Sequence, residues 1–239
     1  MKTDATIIDG DGNSGGSGNA STRLRPLPSE ALNVQWLGRM AFVDALARQE
    51  ELVEAKRNDP ETADHVLLLE HDPVYTIGRT PDQSSLRGAT HLPYPLYPIN
   101  RGGQATYHGP GQLIAYPIID LRRYGQDLHH YLRWLEQVVI DLLGEYKIPA
   151  ARRDGLTGVW VERRKIASIG VGVRHWITMH GFALNVGGDL SPFAHIVPCG
   201  ISDVTITSME KETGRTFSLI DVAGHFERLV RSRIRDLKV

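Results

Sequence analysis

GVWVERRKIASIGVGVRHWITMHGFALNV, residues 158–186, commits the chain to a sheet. Its β-branched residues alternate with small or polar ones, and clusters of charge interrupt it twice. The pattern predicts three strands, 158–162, 165–174 and 177–186, joined by tight turns. Arg163 and Arg164 stand where a solvated hairpin tip belongs. Lys165, first in its strand, can be drawn under the sheet edge, where burial and a nearby thiolate would oppose one another over its charge. Small residues cluster at Ser168, Gly170 and Gly172 and again at Gly181 and Ala183 on the neighbouring strand. They leave room for a chain-like apolar ligand, or serve close packing of strand or helix.

Upstream, residues 112–120 and the apolar runs 66–69 and 74–77 read as strands, the last two separated by a turn at His71, Asp72 and Pro73. Residues 81–98 carry four prolines and read mostly as loop. Asp127 looks like the N-cap of a helix in which Leu128, Tyr131, Leu132, Leu135, Val138, Val139 and Leu142 share one face. A first helix is expected over 37–57, with Met40, Val43 and Ala47 together and residues 58–60 ending it. A terminal amphipathic helix is expected after a capping box of Ser218 and Asp221, using Ile220, Phe226, Leu229, Val230 and Ile234. The expected architecture is α+β: two or three helices packed on a mixed sheet. Residues 10–22 have almost nothing to bury, so residues 1–29 are expected to be a flexible extension and the rest, 30–239, a single domain.

The 239 residues are 41% hydrophobic, enough for a substantial core. The formal net charge is −1, from 27 basic and 28 acidic residues, so any affinity for nucleic acid or for an acidic partner must come from a local patch. Residues 152–174 hold six basic side chains against Asp154 and Glu162, which could steer an acidic protein or be ordinary surface. The patch lacks aromatic interleaving, which makes nucleic acid the weaker choice. No stretch approaches the roughly 18 apolar residues of a membrane span. The start of the chain has neither a basic nor an apolar signal region and carries Asp4, Asp9 and Asp11, so a cytoplasmic location is expected.

Two features carry chemistry. Residues 101–112 read RGGQATYHGPGQ, a glycine-rich turn, a short polar strand and a second turn. They could bring backbone close to a ligand or simply build two tight hairpins. The spacing is neither that of a Walker loop nor that of a dinucleotide fingerprint, so ATP and NAD are not indicated. Arg101 offers a planar donor to a carboxylate, phosphate or carbonyl, and Tyr107 and His108 could line a pocket. The single cysteine, Cys199, sits between Pro198 and Gly200. Alone it cannot form an intramolecular disulfide or a thiolate metal site, which leaves a buried small hydrophobe, a redox sensor or a nucleophile. A nucleophile would need a partner that lowers the thiol pKa from its ordinary value of about 8.5.

Taken together, residues 101–112, 165–170, 180–186 and 198–200 follow in an order and spacing that resemble the lipoyl(octanoyl) transferase family of lipoate biosynthesis, over roughly residues 31–234. The resemblance implies the α+β sandwich of biotin and lipoate protein ligases: two layers, with a mixed sheet and packed helices. It implies a single catalytic acyltransferase domain that moves an octanoyl group from octanoyl-acyl carrier protein to a lysine of a lipoyl domain. The acceptors would be the lipoyl domains of 2-oxoacid dehydrogenase E2 subunits and the glycine-cleavage H protein. By position, Cys199 matches the acyl-thioester nucleophile and Lys165 the residue that activates it. Arg101, Gly102, Gly103, Gln104, Ala105, Thr106, Tyr107 and His108 match substrate-binding positions. So do Ser168, Ile169 and Gly170, and Gly181, Phe182 and Ala183. No cofactor, metal, membrane or nucleic acid is expected, and the enzyme is expected to be a monomer.

Chemistry supports the absence of ATP. Passing an acyl group from one thioester to another and then to an amine runs toward the more stable amide. In the expected mechanism Lys165 takes the thiol proton, returns it to the departing carrier thiol, and later deprotonates the incoming lysine. Backbone N–H groups near Cys199 and Lys165 are expected to hold the oxyanion. Three alternatives stay open: an ATP-dependent lipoate or biotin ligase, a non-catalytic module that binds acylated carriers, and a thiol hydrolase pairing Cys199 with His108, His175, His180 or His195.

Overall fold

The computed structural model describes residues 5–8, 32–79, 84–86, 91–197 and 204–238. Cys199, its neighbours Pro198 and Gly200, and most of the N-terminal extension lie outside the described residues. In chain order the elements are β1 (Ala5–Ile8), β2 (Asn33–Met40), α1 (Phe42–Asn58), β3 (His65–His71), β4 (Val74–Ile77), β5 (Leu96–Pro98), β6 (Thr106–His108) and β7 (Gln112–Ile118). There follow α2 (Leu128–Glu145), β8 (Ala151–Arg153), β9 (Leu156–Val161), β10 (Arg164–Arg174), β11 (Ile177–Asn185), β12 (Thr205–Ile206), α3 (Met209–Thr213) and α4 (Leu219–Arg233).

The large sheet runs β2-β3-β7-β11-β10-β9-β8. Its β2/β3 pair is parallel, and the other pairs of this path are antiparallel. β1 and β12 each add to β10 in parallel, at opposite ends of that strand. A small sheet, β5-β4-β6, completes the fold. The sheet is mixed and the class α+β, as expected.

Both faces of the large sheet are covered, which explains the near-continuous apolar runs of β3 and β7. Val66, Leu68, Leu113 and Ala115 face the core beneath α2 and α4. Their alternates, Leu67, Leu69, Ile114, Tyr116 and Ile118, face the core beneath α1. Asp127 caps α2 as expected, its carboxylate accepting from His130 N at 2.9 Å. The β10–β11 turn places His175 and Trp176 at φ 51° and 64°. Two positive φ values in succession suit a two-residue hairpin, although glycine and asparagine are the usual occupants.

The helix expected over 37–57 begins later, at Phe42, because residues 37–40 complete β2. Val34 and Trp36 pack on the α2 side and Leu37 and Met40 on the α1 side. The face switch falls at a register shift between Trp36 and Arg39 that spans Gly38, whose φ is 71°. Nor is Val43 with Ala47 the buried face of α1: Val43 is 46% exposed, and Phe42, Ala45, Gln49, Leu52, Val53 and Lys56 are buried. Two of those six are polar, Lys56 paired with Asp64 and Gln49 accepting at Oε1 from His180 N, so apolar periodicity alone picks the wrong stripe. His71, expected in a turn, is the buried last residue of β3. In α4, Ser218 holds the N-cap position without a side-chain hydrogen bond and Ile220 is 57% exposed; Phe226, Val230 and Ile234 are buried as expected, joined by Val222 and Ala223. Within the expected extension, Ala5–Ile8 is a strand, since its β-prone residues reach a stretch of β10 edge that β9 does not cover.

Candidate active site

Three segments far apart in sequence meet on the α1 side of the sheet. The loop before β6 crosses β10, where Gly102 N donates to Val171 O at 3.0 Å. The crossing is close: a Cβ on Gly170 would lie 2.9 Å from Arg101 Cδ, and one on Gly172 would run into the carbonyl of Asn100. A cleft opens beside it, lined by Arg101, Gly103, Gln104, Thr106, His108, Ser168, Ile169, Gly170, Gly181, Phe182 and Ala183. Ser168 faces Ala183, and Gly170 faces Gly181, across the β10/β11 ladder. Small residues on facing strands give the cleft its depth. Packing uses them too, since a side chain on Gly181 would meet Ala115 O.

Of the expected substrate-binding residues, Gly102, Ala105 and Tyr107 do not line this cleft. Gly102 spends its N–H on β10, and Ala105 N donates to Ser85 Oγ at 3.1 Å. Tyr107 packs with Tyr75, Tyr94 and Phe193. Strand alternation accounts for the split: Thr106 and His108 point to the cleft, while Ala105 and Tyr107 point into a separate small core. Phe42, Ile99, Tyr116 and His180 complete the lining without having been singled out for it. Tyr116 gave no local signal, because it lies inside a strand whose pattern already explained it, and His180 opened the 180–186 motif and stood among the histidines offered to Cys199 without being placed in the cleft.

Behind the cleft is a buried polar network. Arg101 Nη2 donates to Thr76 Oγ1 at 3.0 Å and to Thr76 O at 3.1 Å. Gln112 Nε2 donates to Tyr107 O, so its Oε1 accepts from His108 Nδ1, at 3.2 Å. Nε2 of His108 then accepts from Thr76 Oγ1, at 3.4 Å. His71 donates from Nδ1 to Met40 O at 3.1 Å, which leaves its Nε2 to accept from the Tyr116 hydroxyl at 2.8 Å. These histidines are neutral at pH 7. Burial pushes His71 down to about 4 and His180 down to about 3, Arg101 adding to the effect at His180. Burial, with help from His71 and Arg101, holds His108 well below its ordinary value. Burial raises the Tyr116 phenol, which stays protonated. Arg101 is therefore the fixed charge in a ring of neutral donors and acceptors. Thr106 Oγ1 and His180 Nε2 find no hydrogen-bond partner among the described residues and are available to a ligand.

Lys165 is 1% exposed. In register it stands between Trp160 of β9 and Ile206 of β12, and its carbonyl accepts from Thr207 N at 3.0 Å. Val197 N donates to Ser85 O at 2.7 Å, and Thr205–Ile206 pair with the start of β10. Among the other histidines, His175 and His195 are exposed and do not line the cleft.

Three of the six basic side chains of residues 152–174 are ion-paired. Arg152 pairs with Glu136, Arg174 with Glu54, and Arg164 with both Glu212 and Glu162. Arg164 is half-buried in that arrangement rather than solvated at a hairpin tip. No group of three or more metal-ligating side chains occurs among the described residues, and no helix there is long and apolar enough to cross a membrane.

Residues 42–230 match the lipoyl protein ligase A/B catalytic domain. An octanoyltransferase of Geotalea uraniireducens is 47% identical over 191 residues, covering 80% of this chain and 87% of that protein. One of Syntrophotalea carbinolica is 45% identical over 207 residues, covering 84% and 95%. Among solved structures, a lipoate-protein ligase A bound with ATP superposes with a TM-score of 0.65 at 15% identity, over 85% of each chain. A biotin protein ligase from Aquifex aeolicus gives 0.53 at 16% identity, over 86% of this chain and 72% of that one. The structural likeness speaks for the fold, and the sequence relatives for the family: the chain belongs to the octanoyltransferases of the lipoyl protein ligase A/B family.

Proposed function

We propose that residues 30–239 form one catalytic domain that transfers an octanoyl group from octanoyl-acyl carrier protein to the target lysine of lipoyl domains, through a thioester on Cys199. The observation that carries this reading is the convergence of Arg101, Gly103, Gln104, Thr106 and His108 with residues 168–170 and 181–183 on one cleft in a chain of this family. The acyl chain lies over Ser168, Gly170, Gly181 and Ala183, where small side chains leave space. The neutral histidines and the Tyr116 hydroxyl bring no charge against it.

Cys199 Sγ attacks the carrier thioester as its proton passes to Lys165 Nζ. The C–S bond to the carrier breaks, and that proton leaves with the carrier thiol. The acceptor amine then attacks the Cys199 thioester, losing a proton to Lys165, and as the C–S bond to Cys199 breaks Lys165 passes that proton to Sγ, giving the amide and the free thiol. The return of the chain to β10 beside Lys165 at Ile206, seven residues after Cys199, supports pairing the two.

Incubation with octanoyl carrier and no acceptor should add one octanoyl group, located on Cys199 by mass spectrometry. Adding an apo lipoyl domain should discharge it. An unchanged mass, or full activity in Cys199→Ser, would refute the covalent route. A requirement for ATP would favour a ligase, and release of free octanoate without an acceptor a hydrolase.

A further inference from the structure

Trp160 is 1% exposed, yet its indole Nε1–H has no hydrogen-bond partner among the described residues. A buried donor left unspent is unfavourable, so the ring is retained for something other than its N–H. Two cations lie against it. Lys165 Nζ is 5.4 Å from the ring centroid and Arg153 Cζ is 4.9 Å. Lys165 and Trp160 are also register partners across the β9/β10 ladder.

Two further features of the surroundings place the lysine there. Gly158, at φ 122°, has no side chain where one would obstruct: a Cβ would lie 2.7 Å from Lys165 Cε and 3.3 Å from Nζ. Gly158 is itself held, its N–H donating to Glu136 Oε1 of α2 at 3.0 Å. That carboxylate is fully buried and also takes Arg133 at 2.7 Å and Arg152 at 3.0 Å. Thus α2 fixes the β8–β9 hairpin, and β9 presents both the aromatic face and the gap along which the lysine stem runs.

We propose that Trp160 is a positioning residue for Lys165. Its π face restricts the flexible four-carbon stem and attracts the ammonium that Lys165 becomes on taking a proton from the thiol. Cation–π attraction is largest where water is excluded, as at this site. The inference rests on Lys165 being the proton-transfer group.

The test is a cycle of W160L, W160F, K165A and W160L/K165A, assayed for octanoyl transfer to an apo lipoyl domain. W160L should lower kcat about tenfold with KM nearly unchanged, and W160F should recover most of that loss. W160L should cost nothing further in the K165A background. Equal losses in W160L and W160F, or an undiminished loss on top of K165A, would make Trp160 a packing residue and overturn the proposal. A K165A variant with wild-type kcat would instead refute the role of Lys165 itself. Should W160L fail to fold, site-specific fluorotryptophans at 160 drain the π face with little change of shape. A stepwise fall in kcat with each added fluorine is expected, and a flat series would overturn the proposal.

Discussion

Lys56 and Asp64 form an ion pair at 2.8 Å with both side chains out of water. It is tolerable because the remaining hydrogen-bonding capacity is used. Lys56 Nζ also donates to Thr62 O at 2.7 Å, and Asp64 accepts from Asp120 N and the Tyr124 hydroxyl, each at 3.1 Å. Asp64→Ala would leave a buried ammonium without its counter-charge, and about 3–5 kcal/mol of stability should be lost in denaturant titrations. A change under 1 kcal/mol would show that water reaches the site. The buried histidines make a second forecast. Folding lowers the pKa values of His71, His108 and His180, so the unfolded chain binds more protons below pH 6.5. Their contribution is complete above pH 6.5 and is lost as pH falls toward about 4 for His71 and about 3 for His180. Each should remove about 1.4 kcal/mol per pH unit within its window. Unfolding free energies equal at pH 7.5 and 5.5 would contradict this.

At the scale of elements, the crossing of the glycine-rich loop over β10 shapes the cleft. Gly172→Ala puts a methyl group against the carbonyl of Asn100, and neither backbone can yield without moving Arg101. A loss of about 2 kcal/mol in stability is expected, together with weaker octanoyl-donor binding. An unchanged KM would show that the cleft does not depend on this crossing. Strands β3, β4, β7, β9, β10 and β11 and helix α2 were legible because apolar alternation and a cap at Asp127 are local signals, whereas β1, β2 and β5 were not. The buried face of α1 was not, because Gln49 Oε1 accepts from His180 N, 131 positions away, at 2.7 Å. A polar residue buried against a distant strand looks the same in sequence as an exposed one.

At the scale of the whole molecule, β10 organises the fold. It takes β11 along one side, β9 on the other, and at its ends β12 and the N-terminal strand β1. Deleting residues 1–31 would uncover the edge that Ala5–Ile8 pairs with, Val171–Arg174. Amide exchange there should accelerate at least about tenfold, while that of β7 stays slow. Unaltered protection at those residues would mean that β1 contributes nothing to the edge. The sequence by itself determined the α+β class and the three strands of residues 158–186, which depend on periodicity, and its ordered short motifs carried the resemblance to the family. Only the tertiary structure decided that Thr106 and His108 reach the cleft while Ala105 and Tyr107 do not, and that Tyr116 and His180 join them. It also set Lys165 against Trp160. Those outcomes depend on strand order and register, which bring distant residues within a few ångströms and which no local pattern encodes.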